Sequence, residues 1–170
     1  MKYSEMSEDL RTKVIESKNL ELNHIQLELS HGRDNHFRQF VDQWFCYKNG
    51  YVTSTGSASW SKIILNEWYS EAALEEGPKG SIVQKEHIVP LNVITESLRK
   101  LRIPSIDEIE DTLIKTVMFA TITKEENQLL NDAGLKDSMP AEYYDQTSDL
   151  YKDPLARYKK AGISLTYTTK

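Results

Sequence analysis

"VQKEHIVPLNVI", residues Val83 to Ile94, sets an acid and a histidine side by side at the end of a short β-prone run. Pro90 follows at once. Its fixed φ and missing N–H suit the first turn of a helix. Leu91, Ile94, Leu98 and Leu101 then recur at helical spacing. The stretch therefore predicts a strand giving way to a helix, with Glu86 and His87 at the junction. Two readings of that pair are open. An imidazole takes a proton from water near neutral pH, and a carboxylate is a hard oxygen ligand for Mg²⁺ or Mn²⁺, so the pair can serve a hydrolytic site. Equally, it can be a polar pair that satisfies backbone groups where the strand ends. Neighbouring residues on an ideal strand face opposite ways, so a shared site requires a bulge or the strand's end.

Upstream, the chain reads as mainly helical. "SEMSEDLRTKVIESKNLELNHIQLEL" offers Ser7 as a cap, with Leu10, Val14, Leu22, Ile25 and Leu29 at helix-like spacing; "LELNHIQLEL" also partly alternates, which leaves a strand there open. Beyond "HGRDN", Phe37, Phe40, Val41, Trp44 and Phe45 share one helical face. Asn49-Gly50 marks a turn. A further helix is expected over 59–77, with Ser59 as cap, Ile64, Trp68 and Ala72 as a stripe, and Gly77 as its stop.

Downstream, "SIDEIEDTLIKTV" opens on a capping-box pattern, Ser105 with Glu108. "VMFATI" is β-prone. "TKEENQLLNDAG" carries a second capping box, Thr123 with Glu126, and Gly134 as its stop. "PLARYKKAG" predicts a short helix and "ISLTYTT" a closing strand. The fold class is thus α+β, a mainly helical domain around a small strand–strand–helix unit. It divides into a helical region over 1–80, a core with inserted helices over 81–135, and an extension over 136–170 packed on that core as one compact domain.

Composition narrows the function classes. The chain has 170 residues, 39% hydrophobic and 28% charged, with net charge -5. One cysteine, Cys46, excludes an internal disulfide framework and a thiolate zinc ribbon; its aromatic neighbours make it a core thiol. No apolar run reaches the roughly 20 residues that span a bilayer, and "MKYSEMSEDLRTK" lacks a signal-peptide core, so a cytoplasmic, soluble protein without membrane contact is expected. Duplex-binding proteins are usually basic, so an acidic chain needs a local basic face and a bridging metal to act on DNA. From Lys152 onward five Lys or Arg face one acid, the only clear reversal of charge sign. His24, His31 and His36 sit in helical or turn contexts where histidine is ordinary.

"EHIVPL" resembles the first motif of HNH, or His-Me finger, nucleases, in which an acid and a histidine precede an I-V-P run at the end of a strand. "VMFATITKEENQLL" is similar to that family's second element, a strand followed by a helix whose opening turns carry a His or Asn. The resemblance covers residues 83–94 and 117–130 and implies a ββα-metal finger. It implies metal-dependent hydrolysis of a nucleic-acid phosphodiester, DNA above all. His87 is then the general base, and Glu86 and Asn127 hold one Mg²⁺ or Mn²⁺. Lys85 and Lys124, flanking the two motifs, and Arg157, Lys159 and Lys160 in the basic tail are then candidate phosphate contacts. Compact enzymes of this kind occur in phages and bacterial mobile or defence elements. The acidic charge, and the lack of an Asn between Asn92 and Asn127, favour another class: a non-catalytic acidic interaction protein, such as a phage or bacterial accessory protein that binds a host factor.

Overall fold

The computed structural model describes residues 5–168. Ser4, in the first helical stretch, and Thr169, in the closing β-prone stretch, lie outside the described residues. The described chain is α+β: seven α-helices and a small four-stranded mixed sheet. No helix among the described residues is long and apolar enough to cross a membrane. The chain divides into two compact units, residues 1–63 with 95–117, and residues 64–94 with 118–170.

The first unit is helical. Helix α1 (Glu8–Ser30) starts where the Ser7 hydroxyl accepts the Leu10 amide, and its buried stripe is Val14, Leu22 and Ile25. The partial alternation in "LELNHIQLEL" does not make a strand, because the 3.6-residue stripe continues through it. Helix α2 (Phe37–Lys48) buries Phe37, Val41, Trp44, Phe45 and Cys46 on its apolar face. Gly50, at φ 70°, turns the chain into a short bridge between Val52 and Ala58. Trp60–Lys62 is a single 3₁₀ turn. Helix α5 (Ile106–Thr116) carries the reciprocal Ser105–Glu108 capping box and buries Ile109 and Leu113. Lys18 Nζ donates to Glu110 Oε1 at 2.7 Å, which ties α1 to α5. The segment 95–117, inserted within the expected 81–135 core, clusters with α1 and α2.

The second unit is built on the sheet. Its strands are β1 (Trp68–Ser70), β2 (Val83–His87), β3 (Phe119–Thr123) and β4 (Leu165–Tyr167), in the order β2-β3-β1-β4. β3 pairs antiparallel with β2 and parallel with β1; β1 pairs antiparallel with β4. As a central strand covered on both faces, β3 buries all five residues. Helix α3 (Glu71–Glu76) begins where the Ser70 hydroxyl accepts the Ala73 amide and ends at Gly77. Helix α4 (Leu91–Arg99) starts just after Pro90, as its sequence predicts, and its residues from Thr95 onward belong to the first unit. Helix α6 (Lys124–Asp132) carries the Thr123–Glu126 capping box, and helix α7 (Ala156–Lys160) precedes β4.

The helix expected over 59–77 is a correction. Its Ile64–Trp68–Ala72 stripe fits helical spacing, yet Leu65 takes φ 56° and the chain enters β1 instead. Trp68 and Tyr69 pair with Ala120 and Thr121 of β3, and the Leu65 amide donates to the Thr121 hydroxyl at 2.9 Å. These long-range bonds outweigh a weak local helix preference.

Candidate functional site and its environment

All eight residues singled out by the sequence lie in the second unit. β2 and β3 run in unbroken register: Val83 with Thr123, Gln84 with Ile122, Lys85 with Thr121, Glu86 with Ala120, His87 with Phe119. No bulge interrupts the pleat. Successive side chains therefore alternate, and Glu86 and His87 face opposite sides of the sheet. On the Glu86 side lie Ala120 and Ile122, which pack with Leu130 of α6, Tyr158 of α7, Ile88, Leu135 and Ile163. On the His87 side lie Lys85, Phe119 and Thr121.

Glu86 does not stand free to take a metal. Arg157 Nη2 donates to its Oε1 at 3.0 Å, and the Arg157 side chain is 0% exposed. The same guanidinium donates from Nε to the Ile88 carbonyl at 2.9 Å and from Nη1 to the Leu135 and Lys136 carbonyls at 2.9 and 3.2 Å. Nη2 also bonds the His87 carbonyl and the Tyr158 hydroxyl. A planar fork with five donors is the group that can gather so many acceptors at once. Arg157 thus pins the end of β2 and the segment after α6 to α7. Its assignment as a phosphate contact is corrected: a fully buried arginine cannot meet DNA. Burial also pushes the Tyr158 phenol above its ordinary range, with the Arg157 charge opposing that shift.

His87 is 4% exposed, and its ring lies 4.4 Å from the Phe119 ring. Lys85 Nζ sits 4.9 Å from the centre of the same Phe119 ring, a cation–π contact. Asn127 is half-buried on the opening turns of α6. That helix begins after Thr123, which pairs with Val83 at the opposite end of β2 from His87. Four residue-to-residue steps of strand separate those two ends, roughly 13 Å at about 3.3 Å per step. The helix then packs, through Leu130, on the face away from His87. The structure thus brings Glu86 and α6 to one face and leaves the imidazole on the other. The expected convergence of His87, Glu86 and Asn127 is not found.

The remaining cations divide. Lys159 Nζ lies 2.6 Å from Asp153, and Lys160 bonds Glu142, whose carboxyl that hydrogen bond holds below the usual range. Lys124 is exposed at the first position of α6. The basic tail is therefore largely balanced by its own acids. Glu126 caps α6 through the Thr123 amide and accepts the Ser70 hydroxyl at 2.5 Å, as a structural rather than a metal-binding acid.

An Mg²⁺ or Mn²⁺ site requires several oxygen donors in near-octahedral array. Among the described residues, no group of three His, Cys, Asp or Glu side chains is placed to hold an ion. At Glu86 a divalent ion would meet the Arg157 guanidinium already paired with that carboxylate, so the residues as arranged do not fit the metal. Sequence reasoning missed two features here. Arg157 gives no signal of burial, because a basic run looks alike inside and outside a fold. Asn131, one turn beyond Asn127, keeps its Oδ1 buried without a hydrogen-bond partner; its polar neighbours in sequence give no hint of this. Comparison of the chain with protein-family models, curated proteins and solved structures returned no match.

Proposed function

We propose that this chain is a non-catalytic acidic interaction protein, an accessory factor that binds another protein, in which the Glu86-His87 pair serves the fold. The observation that carries this reading is the Glu86–Arg157 lock. The one acid beside the candidate base is held by a buried cation that also holds four backbone carbonyls. Net charge -5, with Glu71, Glu75 and Glu76 all exposed around the half-exposed Leu74 on α3, supports a partner that presents a basic surface.

One observation favours the second reading, a metal-dependent endonuclease acting on DNA. β3, paired antiparallel with β2, leads directly into the capped helix α6, which gives the paired strands and helix of the resembled family. In that reading Glu86 and Asn127 hold Mg²⁺ or Mn²⁺ and His87 takes the proton of the attacking water. It requires Arg157 to release Glu86 and His87 to become exposed.

A supercoiled plasmid separates the two. Incubated with purified protein and Mg²⁺ or Mn²⁺, it stays intact under the first reading, and the protein melts at the same temperature with and without the ions. Nicking that His87→Ala abolishes, with the fold retained by circular dichroism, overturns the interaction reading in favour of the nuclease.

A further inference from the structure

β4 (Leu165–Tyr167) forms one edge of the sheet, and its pairing leaves one row of backbone groups facing outward. The Thr168 amide donates to the Glu67 carbonyl at 3.1 Å, which marks Glu67 and Thr168 as a hydrogen-bonded pair. In an antiparallel ladder such pairs alternate. Thr166 with Tyr69 is then also hydrogen-bonded, and the amides and carbonyls of Leu165 and Tyr167 point away from β1. An edge of this kind is protected by shortness, a charge, a proline or a bulge, and β4, three residues long, has only the first of these. "ISLTYT", residues 163–168, contains no charge and no proline. Thr166 is exposed and Tyr167 is 49% exposed.

We infer that this edge pairs with the same edge of a second copy of the chain, about a two-fold axis through Thr166. The register is self-complementary. Placing Thr166 opposite its counterpart sets Leu165 opposite the second copy's Tyr167, and each such pair exchanges two backbone hydrogen bonds through the groups that face outward. Side-chain placement agrees. Leu165 and Tyr167 lie on the same face of the sheet, the face of Trp68, whose ring centre is 5.4 Å from that of Tyr167. Leu165 lines an open pocket of about 360 Å³ with Leu155, Tyr158, Gly162 and Ile163. The two-fold brings the second copy's Tyr167 beside Leu165, over the mouth of that pocket. The reciprocal contact covers the other pocket, as an isologous interface demands. Two four-stranded sheets become one of eight strands. The contact is short, so it belongs to the weak class of interfaces and forms with rising concentration.

Sedimentation equilibrium from about 10 µM to about 1 mM tests this. The weight-average mass is expected to rise from that of the monomer toward twice it. Thr166→Lys and Thr166→Glu each place like charges opposite one another across the axis and nowhere else. Each variant alone is expected to stay monomeric, with an unchanged circular dichroism spectrum. Their equimolar mixture is expected to recover the dimer. A wild type that remains monomeric at the highest concentration overturns the inference. So does dimerisation of either single variant at the wild-type level, which would place the contact elsewhere.

Discussion

Replacing Arg157 with methionine removes the guanidinium while filling much of its volume. Four backbone carbonyls, those of His87, Ile88, Leu135 and Lys136, lose a donor, and Glu86 loses its cation. At the low end of about 1 kcal/mol for each buried acceptor left unmatched, the three carbonyls whose bonds are buried, those of His87, Ile88 and Leu135, amount to about 3 kcal/mol. Glu86 is partly exposed and is rehydrated, so it adds little. Against this stands the relief of no longer burying a charge, several kcal/mol in the opposite sense. Removing one member of a buried pair costs about 3–5 kcal/mol where a buried charge is left behind; here buried carbonyls are left beside an acid that water reaches, so the net effect is placed at the low end, about 3 kcal/mol. For a chain of this length that corresponds to a fall in Tm of roughly 6–12 °C. Urea denaturation followed by tryptophan fluorescence measures the free energy, and scanning calorimetry the Tm. Arg157→Lys keeps the charge but not the fork, so it is expected to fall between wild type and the methionine variant. A methionine variant within about 1 kcal/mol of wild type would refute the lock.

Three further outcomes follow from individual side chains. Asn131→Leu removes a buried acceptor without a partner and is expected to raise stability by about 1 kcal/mol, read from the urea midpoint; a loss of stability contradicts this. Burial raises the Glu21 carboxyl above the ordinary glutamate range, and its contact with His24 only partly offsets that. Its folded pKa lies above the unfolded one, so its contribution is full below the unfolded value and is lost as pH rises through the folded value. Glu21→Gln is therefore expected to gain on wild type between pH 4 and pH 8 in melting experiments, and an equal difference at both pH values would contradict the shift. Ser105→Ala deletes the capping-box hydroxyl at the start of α5 and is expected to cost about 1 kcal/mol, whereas an unchanged urea midpoint would show that the cap contributes nothing.

The features legible in the sequence were those set by near neighbours. Ser7, Ser105 with Glu108, and Thr123 with Glu126 all cap as their spacing predicts, because a cap is decided within four residues. β2 and β3 were readable from their β-prone runs, and Pro90 marked the start of α4. β1 was not, since three residues held by β3 and β4 carry little local signal, while Ile64, Trp68 and Ala72 mimic a helical stripe. The placement of the candidate side chains was not legible on the same ground. Adjacency of Glu86 and His87 suggested a shared pocket, but only the register with Ala120 and Phe119 decides which face each occupies. Arg157 looked like part of a basic tail, and nothing local discloses that its buried guanidinium makes six hydrogen bonds.

The account rests on Glu86 serving Arg157 rather than a metal ion. Titrating Mn²⁺ into isotope-labelled protein and following amide broadening by nuclear magnetic resonance tests this at the residues concerned. The account predicts no saturable broadening at Glu86, His87 or Asn127, with only weak, scattered effects at exposed acids. Saturable broadening at those three residues together, abolished by Glu86→Gln, would contradict it and return the metal to the site.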